Sequence, residues 1–304
     1  MPRSPMALTT SREARTKPRS AVAAQGVLCA ILMTPASGSV VLGQLCFDPT
    51  TVSPAIQSSI ALIAADLDAD GDIDLVSASV LGGSGAVVWH ENTGGEPAAY
   101  IDHLISDAMD EARQVVAADI DEDGDIDVLS ATSDGVLWHE NIGGSPVAFA
   151  HHTLLADESL DIAVADLDGD TDPDILVIDQ NWIRWLKSDG QPVPQFSTQN
   201  ITAFGDPRSV DLGDVDGDGD IDALVNDLDQ GLHLLRNTGG PNPGFSSVTV
   251  LSPFYRVTSA RFVDTNQDNH LDILITSGLD FVLCYENNGA ANPTFIETGV
   301  SLAT

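Results

Sequence analysis

An acidic segment of nine residues occurs five times in this 304-residue sequence, at intervals of about fifty residues. The first copy runs from Asp66 to Asp74, with aspartate at every odd position. Carboxylates this close repel one another unless a cation lies among them, and ligand sets made only of oxygen favour calcium over softer metals. The sequence therefore predicts an array of calcium-binding repeats, with up to five Ca²⁺ ions.

The five segments, called loops one to five below, share one numbering from position one to position nine. Half of the acidic residues of the chain, 23 of 46, occupy odd positions of these loops. The candidate metal-ligating residues are Asp66, Asp68, Asp70, Asp72 and Asp74; Asp119, Asp121, Asp123, Asp125 and Asp127; Asp166, Asp168, Asp170, Asp172 and Asp174; Asp214, Asp216, Asp218, Asp220 and Asp222; and Asp264, Asn266, Asp268, His270 and Asp272.

The charge of the chain excludes one class of partner. The formal net charge is -34 at pH 7. Five calcium ions would return about ten positive charges, which leaves a surface that still repels nucleic-acid phosphates. We therefore expect no nucleic-acid partner.

Short apolar runs surround each loop. Ile60–Ala65 precedes loop one, Ile73–Ser77 follows it, and a third run continues through Val87-Val88-Trp89. A fourth run carries an aromatic residue, seen at Phe47, Tyr100, Phe149, Phe196, Phe245 and Phe295. Runs of four to seven residues rich in Val, Ile and Leu and bounded by Gly, Asp and Asn indicate strands. Four short strands per repeat predict an all-β fold, a β-propeller of four-stranded blades with about five blades visible.

Helical calcium motifs do not fit the loops. An EF-hand needs a bidentate acid at position twelve and helices on both sides. The residues at position twelve are Ser77, Ser130, Val177, Val225 and Ile275. The nine-residue period of the calcium-binding β-roll is also absent from the sequence.

With its five D-x-D-x-D-G-x-x-D-type loops, the chain resembles the FG-GAP/VCBS repeat family, which includes the integrin α-subunit propeller, over about residues 47 to 304. The resemblance implies that each loop joins the first two strands of a blade. It also implies calcium ligation by the side chains at positions one, three, five and nine and by the backbone carbonyl at position seven.

Two loops depart from this pattern. Position six normally has a positive φ, which glycine adopts freely and asparagine tolerates, as at Asn269, but which Thr171 should resist. Loop five lacks two of the carboxylates, because it has Asn266 and His270. We expect calcium to occupy loops one, two and four ahead of loop five, and loop three last.

The N-terminal region is typical of an exported protein. Five basic residues lie in the first twenty, and the apolar segment Ala21–Met33 precedes small residues that suit signal-peptidase cleavage near Gly38 or Ser39. We predict a signal peptide over residues 1–39 and a propeller over 40–304, in a secreted or cell-surface protein. After cleavage no transmembrane span is expected, and an uncleaved anchor is the competing interpretation.

The number of strands leaves ring closure open. The Phe47 run is one copy more than five blades need. The chain is therefore either a five-bladed ring with an extra edge strand or an arc of a larger propeller. Cys46 and Cys284 lie near the two ends, but the repeat register places them about 10 Å out of alignment, which argues against a disulfide.

The pairs His90-Glu91 and His139-Glu140 resemble acid-base candidates, but they recur in register and are replaced in the other repeats, as expected of structural positions. The recurrence of tryptophan in register, at Trp89, Trp138 and Trp185, likewise predicts packing between blades. Trp182 is out of register, and we expect it to be exposed.

The sequence favours a calcium-binding module for adhesion to a protein or glycan ligand, with no catalytic residues. The alternatives are a polysaccharide hydrolase or lyase and a lectin. Two nonrepeated carboxylates in a cleft would favour the enzyme, and equivalent sugar pockets between blades would favour the lectin.

Overall fold

The computed structural model describes residues 52–53, 58–81, 84–95, 98–278 and 281–299. This part of the chain is all-β, with twenty strands and one 3-10 turn at Pro253–Tyr255. The predicted signal peptide, the Phe47 run and Cys46 lie outside the described residues. Among the residues that are described, no helix has the length and apolar character needed to cross a membrane.

The strands form five antiparallel sheets of four strands, and each strand pairs with the next one along the chain. Sheet one contains β1 (Ser58–Ala65), β2 (Asp74–Leu81), β3 (Ser84–Asn92) and β4 (Tyr100–Met109). Sheet two contains β5 (Ala112–Ala118), β6 (Asp127–Thr132), β7 (Gly135–Asn141) and β8 (Phe149–Leu155). Sheet three contains β9 (Ser159–Ala165), β10 (Asp174–Asp179), β11 (Trp182–Lys187) and β12 (Ser197–Ala203). Sheet four contains β13 (Pro207–Gly213), β14 (Asp222–Asp227), β15 (Gly231–Asn237) and β16 (Phe245–Leu251). Sheet five contains β17 (Val257–Val263), β18 (Asp272–Ser277), β19 (Phe281–Asn287) and β20 (Phe295–Glu297).

The predicted repeat unit is confirmed. Every acidic loop joins the first strand of a sheet to the second, and each sheet has the four strands of a propeller blade. The fourth strand begins at the predicted aromatic residue in four sheets, and in sheet three it begins one residue after Phe196. The short apolar runs thus place the strands correctly, while closure of the array into a ring stays a prediction.

The hydrophobic cores lie between successive sheets. Four clusters of buried side chains separate the five sheets, and the first strands lie beside one another in the order β1, β5, β9, β13 and β17. The strands β6, β10 and β14 are buried along their whole length. A sheet packed on both faces needs apolar side chains on both, so these strands have continuous apolar runs with little alternation.

The in-register tryptophans confirm the predicted packing role. Trp89, Trp138 and Trp185 expose 3% or less of their surface and belong to the cores between sheets. Trp182, the out-of-register tryptophan at the start of β11, is 38% exposed as predicted.

An asparagine at the end of the third strand links neighbouring sheets. Asn237 Nδ2 donates to the carbonyl of Leu167 in loop three at 2.8 Å, and also to the carbonyl of Ile221 in its own loop at 3.1 Å. Asn141 and Asn287 make the same two bonds, each reaching the loop of the preceding sheet. Sheet three has Ser188 at this register, whose shorter side chain accepts a bond from Gly190 N at 3.2 Å. The link from sheet three to loop two is therefore missing.

We expect the Asn237→Ala substitution to lower the free energy of unfolding by about 1–3 kcal/mol, because it leaves buried carbonyl groups without donors. The Ser188→Asn substitution should raise it by about 0.5–1.5 kcal/mol by supplying the missing link. Urea denaturation followed by circular dichroism measures both changes. Asn200→Ala, at an exposed position of β12, is the control and should have little effect. Equal losses for Asn237→Ala and Asn200→Ala would contradict the assignment.

Candidate metal centres

The five loops share one backbone conformation that is fixed by their own carboxylates. The position-one carboxylate accepts the backbone N–H of position six at 2.9–3.1 Å in every loop. The position-five carboxylate accepts the N–H of position seven at 2.8–3.2 Å. These bonds curl the chain around the carboxylates, as a cation-binding loop requires.

Two positions of each loop have a positive φ. At position six the predicted conformation is observed in all loops, including Thr171 with φ 79° and Asn269 with φ 68°. The structure adds position four, which the sequence did not reveal, with φ 56° at Ala69, 58° at Glu122 and 65° at Gln267. Residues with a Cβ lose about 1–2 kcal/mol in this region, so loops without glycine at these positions are strained.

The position-nine aspartates fasten the loops to the rest of the sheet. All five are buried, with 0–1% of their surface exposed. One oxygen accepts the N–H of position two at 3.0–3.2 Å. The other accepts the N–H at the end of the third strand at 2.7–2.9 Å. Position nine therefore has a structural role that does not depend on a metal.

The side chains at position seven lie over the turn that follows the third strand. A Cβ added at Gly94 would meet Asp72 Oδ2 at 2.6 Å, and Gly143 has the same relation to Asp125 at 2.8 Å. The glycine of this turn therefore makes room for the position-seven side chain. Any ligand from position seven would be its backbone carbonyl, as the resemblance implies.

Four of the loops bring three carboxylates within 4.8 Å of one another. Positions one, three and five converge in loops one and four, whereas positions one, three and nine converge in loops two and three. Buried carboxylate oxygens without a hydrogen-bond partner among the described residues are Asp66 Oδ1, Asp119 Oδ1, Asp168 Oδ1 and Asp216 Oδ1. Each lies in one of the four clusters, so the residues present fit a hard cation. Ligation by individual residues stays a prediction.

The electrostatics of the loops favour a bound cation. Burial raises the pKa of Asp127 to about 7 and those of Asp174 and Asp222 to about 6. Burial and the neighbouring carboxylates also raise the pKa of Asp68 and Asp121. Ionised carboxylates are therefore costly here, and a divalent cation would offset that cost.

Loop five has a different set of contacts. Asn266 Nδ2 donates to Asp268 Oδ2 at 3.0 Å, and His270 Nδ1 lies 3.1 Å from Asp268 Oδ1. The hydrogen bond from the His270 backbone, followed by those from Asn266 and the His270 ring, lowers the pKa of Asp268. Side-chain nitrogen donors thus satisfy part of this loop.

The adjacent His and Glu residues point to opposite faces of the third strand and do not form dyads. His90 Nε2 lies 2.9 Å from Ser77 Oγ, and His90 Nδ1 lies 2.7 Å from Asp102 Oδ1. This connectivity matches a Ser-His-Asp triad, but Ser77 is only 1% exposed. The Ser77 hydroxyl is buried, so a substrate has no access to it.

Sheet two repeats this arrangement with one change. His139 Nε2 lies 2.9 Å from Ser130 Oγ, but His139 Nδ1 faces His151 Nδ1 at 2.9 Å where sheet one has a carboxylate. Burial, with a smaller contribution from His151, lowers the pKa of His139 to about 3. His139 is therefore a packed, neutral residue.

The glutamates on the other face of the strand are also paired. His103 Nε2 lies 2.6 Å from Glu91 Oε2, and His152 Nε2 lies 2.6 Å from Glu140 Oε2. The ring centroid of His103 lies 4.5 Å from that of Trp89, and the ring centroid of His152 lies 4.6 Å from that of Trp138. Pairing across strands, which the sequence does not show directly, accounts for these histidines.

A polar cleft of about 530 Å³ lies at the end of the sheets opposite the loops. Its lining comes from sheets two, three and four and consists of Arg113, Glu158, Leu160, Gln180, Asn181, Asp206 and Arg208. Arg113 Nη1 lies 2.6 Å from Glu158 Oε1, and Arg208 Nη2 lies 2.6 Å from Asp206 Oδ1. Arg113, Leu160 and Arg208 share one register position but not one chemistry, so the cleft is not repeated.

The comparison with protein families yields a match to the FG-GAP-like repeat over residues 66–130, 119–177, 166–225 and 214–275. Each match begins at position one of a loop and ends at position twelve of the next loop. No curated protein matches the chain.

Solved structures with the same architecture include a lectin from Agrocybe aegerita that recognises non-reducing terminal N-acetylglucosamine. It has 19% sequence identity and a TM-score of 0.55, and the match covers 79% of this chain and 66% of the lectin chain. A putative 6-phosphogluconolactonase from Bacteroides uniformis has 13% identity and a TM-score of 0.54, with coverage of 81% and 72%. This chain thus spans just under two thirds of the lectin chain. At these identities the likeness extends to the fold alone.

We expect the contribution of His139 to the stability of the protein to fall as the pH drops below about 6.5. The pKa of His139 is below that of an unfolded histidine, so the unfolded state binds the extra proton. Its contribution is complete above pH 6.5 and is lost toward pH 3, at about 1 kcal/mol per pH unit. The His151→Asp substitution, which reproduces the pairing of sheet one, should reduce this slope.

The free energy of unfolding at pH 7, 6 and 5, measured with urea, tests the expectation. The carboxylates that both proteins share contribute equally to the two pH profiles, so their effect drops out when the free energy of unfolding of His151→Asp is subtracted from that of the wild type. His151→Ala is the control, because it removes the second imidazole without adding an acceptor. Parallel pH profiles for wild type and His151→Asp would contradict the prediction.

Proposed function

The chain belongs to the FG-GAP-like repeat family, and from that premise we propose that it is a secreted, calcium-stabilised binding or adhesion module. The observation that carries the proposal is the polar cleft, which lies away from the repeated loops and has a lining that is not repeated. The loops hold the sheets together, and the cleft binds the ligand.

The donor set supports calcium as the metal. Loops one to four offer carboxylate and backbone oxygens, with neither thiolate nor imidazole ligands, which suits a hard cation. The residues that would hold it are the converging carboxylates at positions one, three and five or nine. The bound ion supplies positive charge that holds the loop carboxylates together, so its contribution is to stability.

Export would place the loops where calcium is abundant. Extracellular calcium modules work with dissociation constants as weak as about 10⁻⁴ to 10⁻³ M. The basic and apolar N-terminal segments of the sequence support secretion.

The chemistry of the cleft favours a polar ligand. Arginine, amide and carboxylate groups surround it, and only Leu160 contributes an aliphatic side chain. Arg208 exposes 48% of its side chain and is therefore accessible to a ligand. A sugar presents many hydroxyl groups that both donate and accept, so a glycan is the first candidate and a polar protein segment the second.

Two carboxylates in the cleft make a glycoside hydrolase the second candidate function. Glu158 and Asp206 both line it and lie outside the loops. A catalytic acid in such enzymes needs a raised pKa. Hydrogen bonds from Arg113 and Gln180 instead lower the pKa of Glu158, which therefore stays ionised. This electrostatic arrangement suits binding better than proton donation.

We expect EDTA to lower the melting temperature sharply and added calcium to restore it. At a free calcium concentration of about a hundred times the dissociation constant, each site adds about 2.7 kcal/mol. Asp66→Asn and Asp119→Asn should each reproduce part of the loss, measured by differential scanning calorimetry. Asp107→Asn, an exposed change outside the loops, is the control. A melting temperature that EDTA does not change would end the calcium hypothesis.

The ligand is tested with a glycan array probed with calcium-loaded protein. We expect binding to a defined class of glycans and at least a tenfold loss of affinity for Arg208→Ala, since a charged hydrogen bond contributes about 1.5–3 kcal/mol. Arg256→Gln removes the same charge from an exposed residue outside the cleft and should bind normally. Release of reducing sugar from a polysaccharide, abolished by Glu158→Gln, would favour the hydrolase instead. Equal loss of binding in both arginine variants would move the ligand away from the cleft.

A further inference from the structure

One position beside the acidic loops changes the sign of its charge along the array. It immediately precedes the residue whose backbone N–H bonds to the position-nine aspartate, and we call it the facing position. It is Glu91, Glu140, Lys187, Arg236 and Glu286 in sheets one to five. In sheets three and four, the side chain at this position places a positive charge among the loop carboxylates.

In sheet three the inserted charge is an ammonium group. Lys187 Nζ forms an ion pair with Asp168 Oδ2 and lies 3.1 Å from Asp170 Oδ2. The side chain of Asp168 is fully buried. Lys187 Nζ also lies 5.6 Å from the centre of the Trp185 ring, which favours a cation at this place. The ammonium group thus forms ion pairs with the carboxylates at positions three and five of loop three.

In sheet four the inserted charge is a guanidinium group with several anchors. Arg236 Nη2 forms an ion pair with Asp216 Oδ2, whose side chain is only 2% exposed. The same guanidinium donates to Asn292 Oδ1 and to the Ala291 carbonyl, each at 2.8 Å. Both acceptors belong to the turn after the third strand of sheet five, so Arg236 is held from two sheets.

In sheets one and two the facing position adds a further acid to those of the loop. Glu91 is among the groups that raise the pKa of Asp68, and Glu140 acts in the same way on Asp121, in both cases after the larger effect of burial. The histidine partners His103 and His152 approach these glutamates from the fourth strand and not from the loop. Within the described part of the chain, loops one and two therefore have no positive side chain among their carboxylates.

We propose that Lys187 and Arg236 are tethered cations that take the electrostatic place of a calcium ion in loops three and four. This inference rests on the proposed calcium dependence. The ammonium and guanidinium groups compete with the metal for Asp168, Asp170 and Asp216, so loops three and four bind calcium more weakly than loops one and two. This order differs from the occupancy expected from the loop sequences alone, in which loop four ranks beside loops one and two.

The competition can be tested by exchanging charges at the facing position in both directions. Lys187→Gln removes the ammonium group from loop three, so the calcium dissociation constant of loop three should fall by at least about tenfold. Glu140→Lys places an ammonium group over loop two, which should lose its ion. Isothermal titration with calcium gives the affinities, and native mass spectrometry counts the ions. Glu140→Gln is the matched control, because it removes the pair with His152 without adding a cation.

Stability in EDTA gives a second measurement that needs no bound calcium. There Glu140→Lys should melt at a higher temperature than Glu140→Gln, because the tethered cation relieves carboxylate repulsion. Lys187→Gln should melt below wild type. Circular dichroism in excess calcium verifies that each variant folds.

The possible outcomes separate this inference from the proposed function. Suppose that loops one to four of the wild type bind calcium with equal affinity, and that neither charge exchange alters this affinity. The inference about tethered cations would then be overturned, while calcium dependence would stand. If wild type binds no calcium while the melting temperatures in EDTA shift as expected, the calcium hypothesis fails and the tethered charges stand. No binding together with unshifted melting temperatures would overturn both.

Discussion

The array depends on the buried aspartate at position nine of each loop. This carboxylate accepts one N–H from its own loop and one from the end of the third strand, at distances of 2.7–3.2 Å. The residue that donates from the third strand is, in four sheets of five, the asparagine whose side chain reaches the loop carbonyl groups. In sheets two, four and five a hydrogen-bonded chain therefore runs from loop to strand and from strand to the preceding loop, so the order within one sheet is passed to its neighbour.

The same arrangement creates an electrostatic problem. Burial is the main cause of the raised pKa of Asp127, Asp174 and Asp222, and repulsion from neighbouring loop carboxylates adds to it. Positive charge relieves this repulsion, and it would come from a divalent metal, as proposed, or from a basic side chain at the facing position. Loop five has a third solution, because it replaces two carboxylates by Asn266 and His270.

Features encoded by short-range patterns were predictable from the sequence. The short apolar runs, the loop positions and the fourth-strand aromatics all have a fixed spacing, and the structure reproduces them. The links made by Asn141, Asn237 and Asn287 were missed, although the asparagine recurs in register, because their acceptors lie 70 or more residues away in sequence. The positive φ at Ala69 and Glu122 gave no signal, since neither residue type favours that conformation.

The polar cleft was unpredictable for a different reason. Its lining residues come from three sheets at the end where the first strands begin, and nothing in the spacing of Arg113, Glu158 and Arg208 indicates that they meet. At the loop end every residue must satisfy the same hydrogen-bond geometry five times, which leaves little freedom for chemistry specific to one ligand. At the cleft end one register position holds Arg113, Leu160, Arg208 and Thr258 in successive sheets, because no repeated bond constrains it. The ligand specificity that we propose therefore belongs to the end of the sheets where the repeat imposes least, while the loop end maintains the scaffold on which the cleft is built.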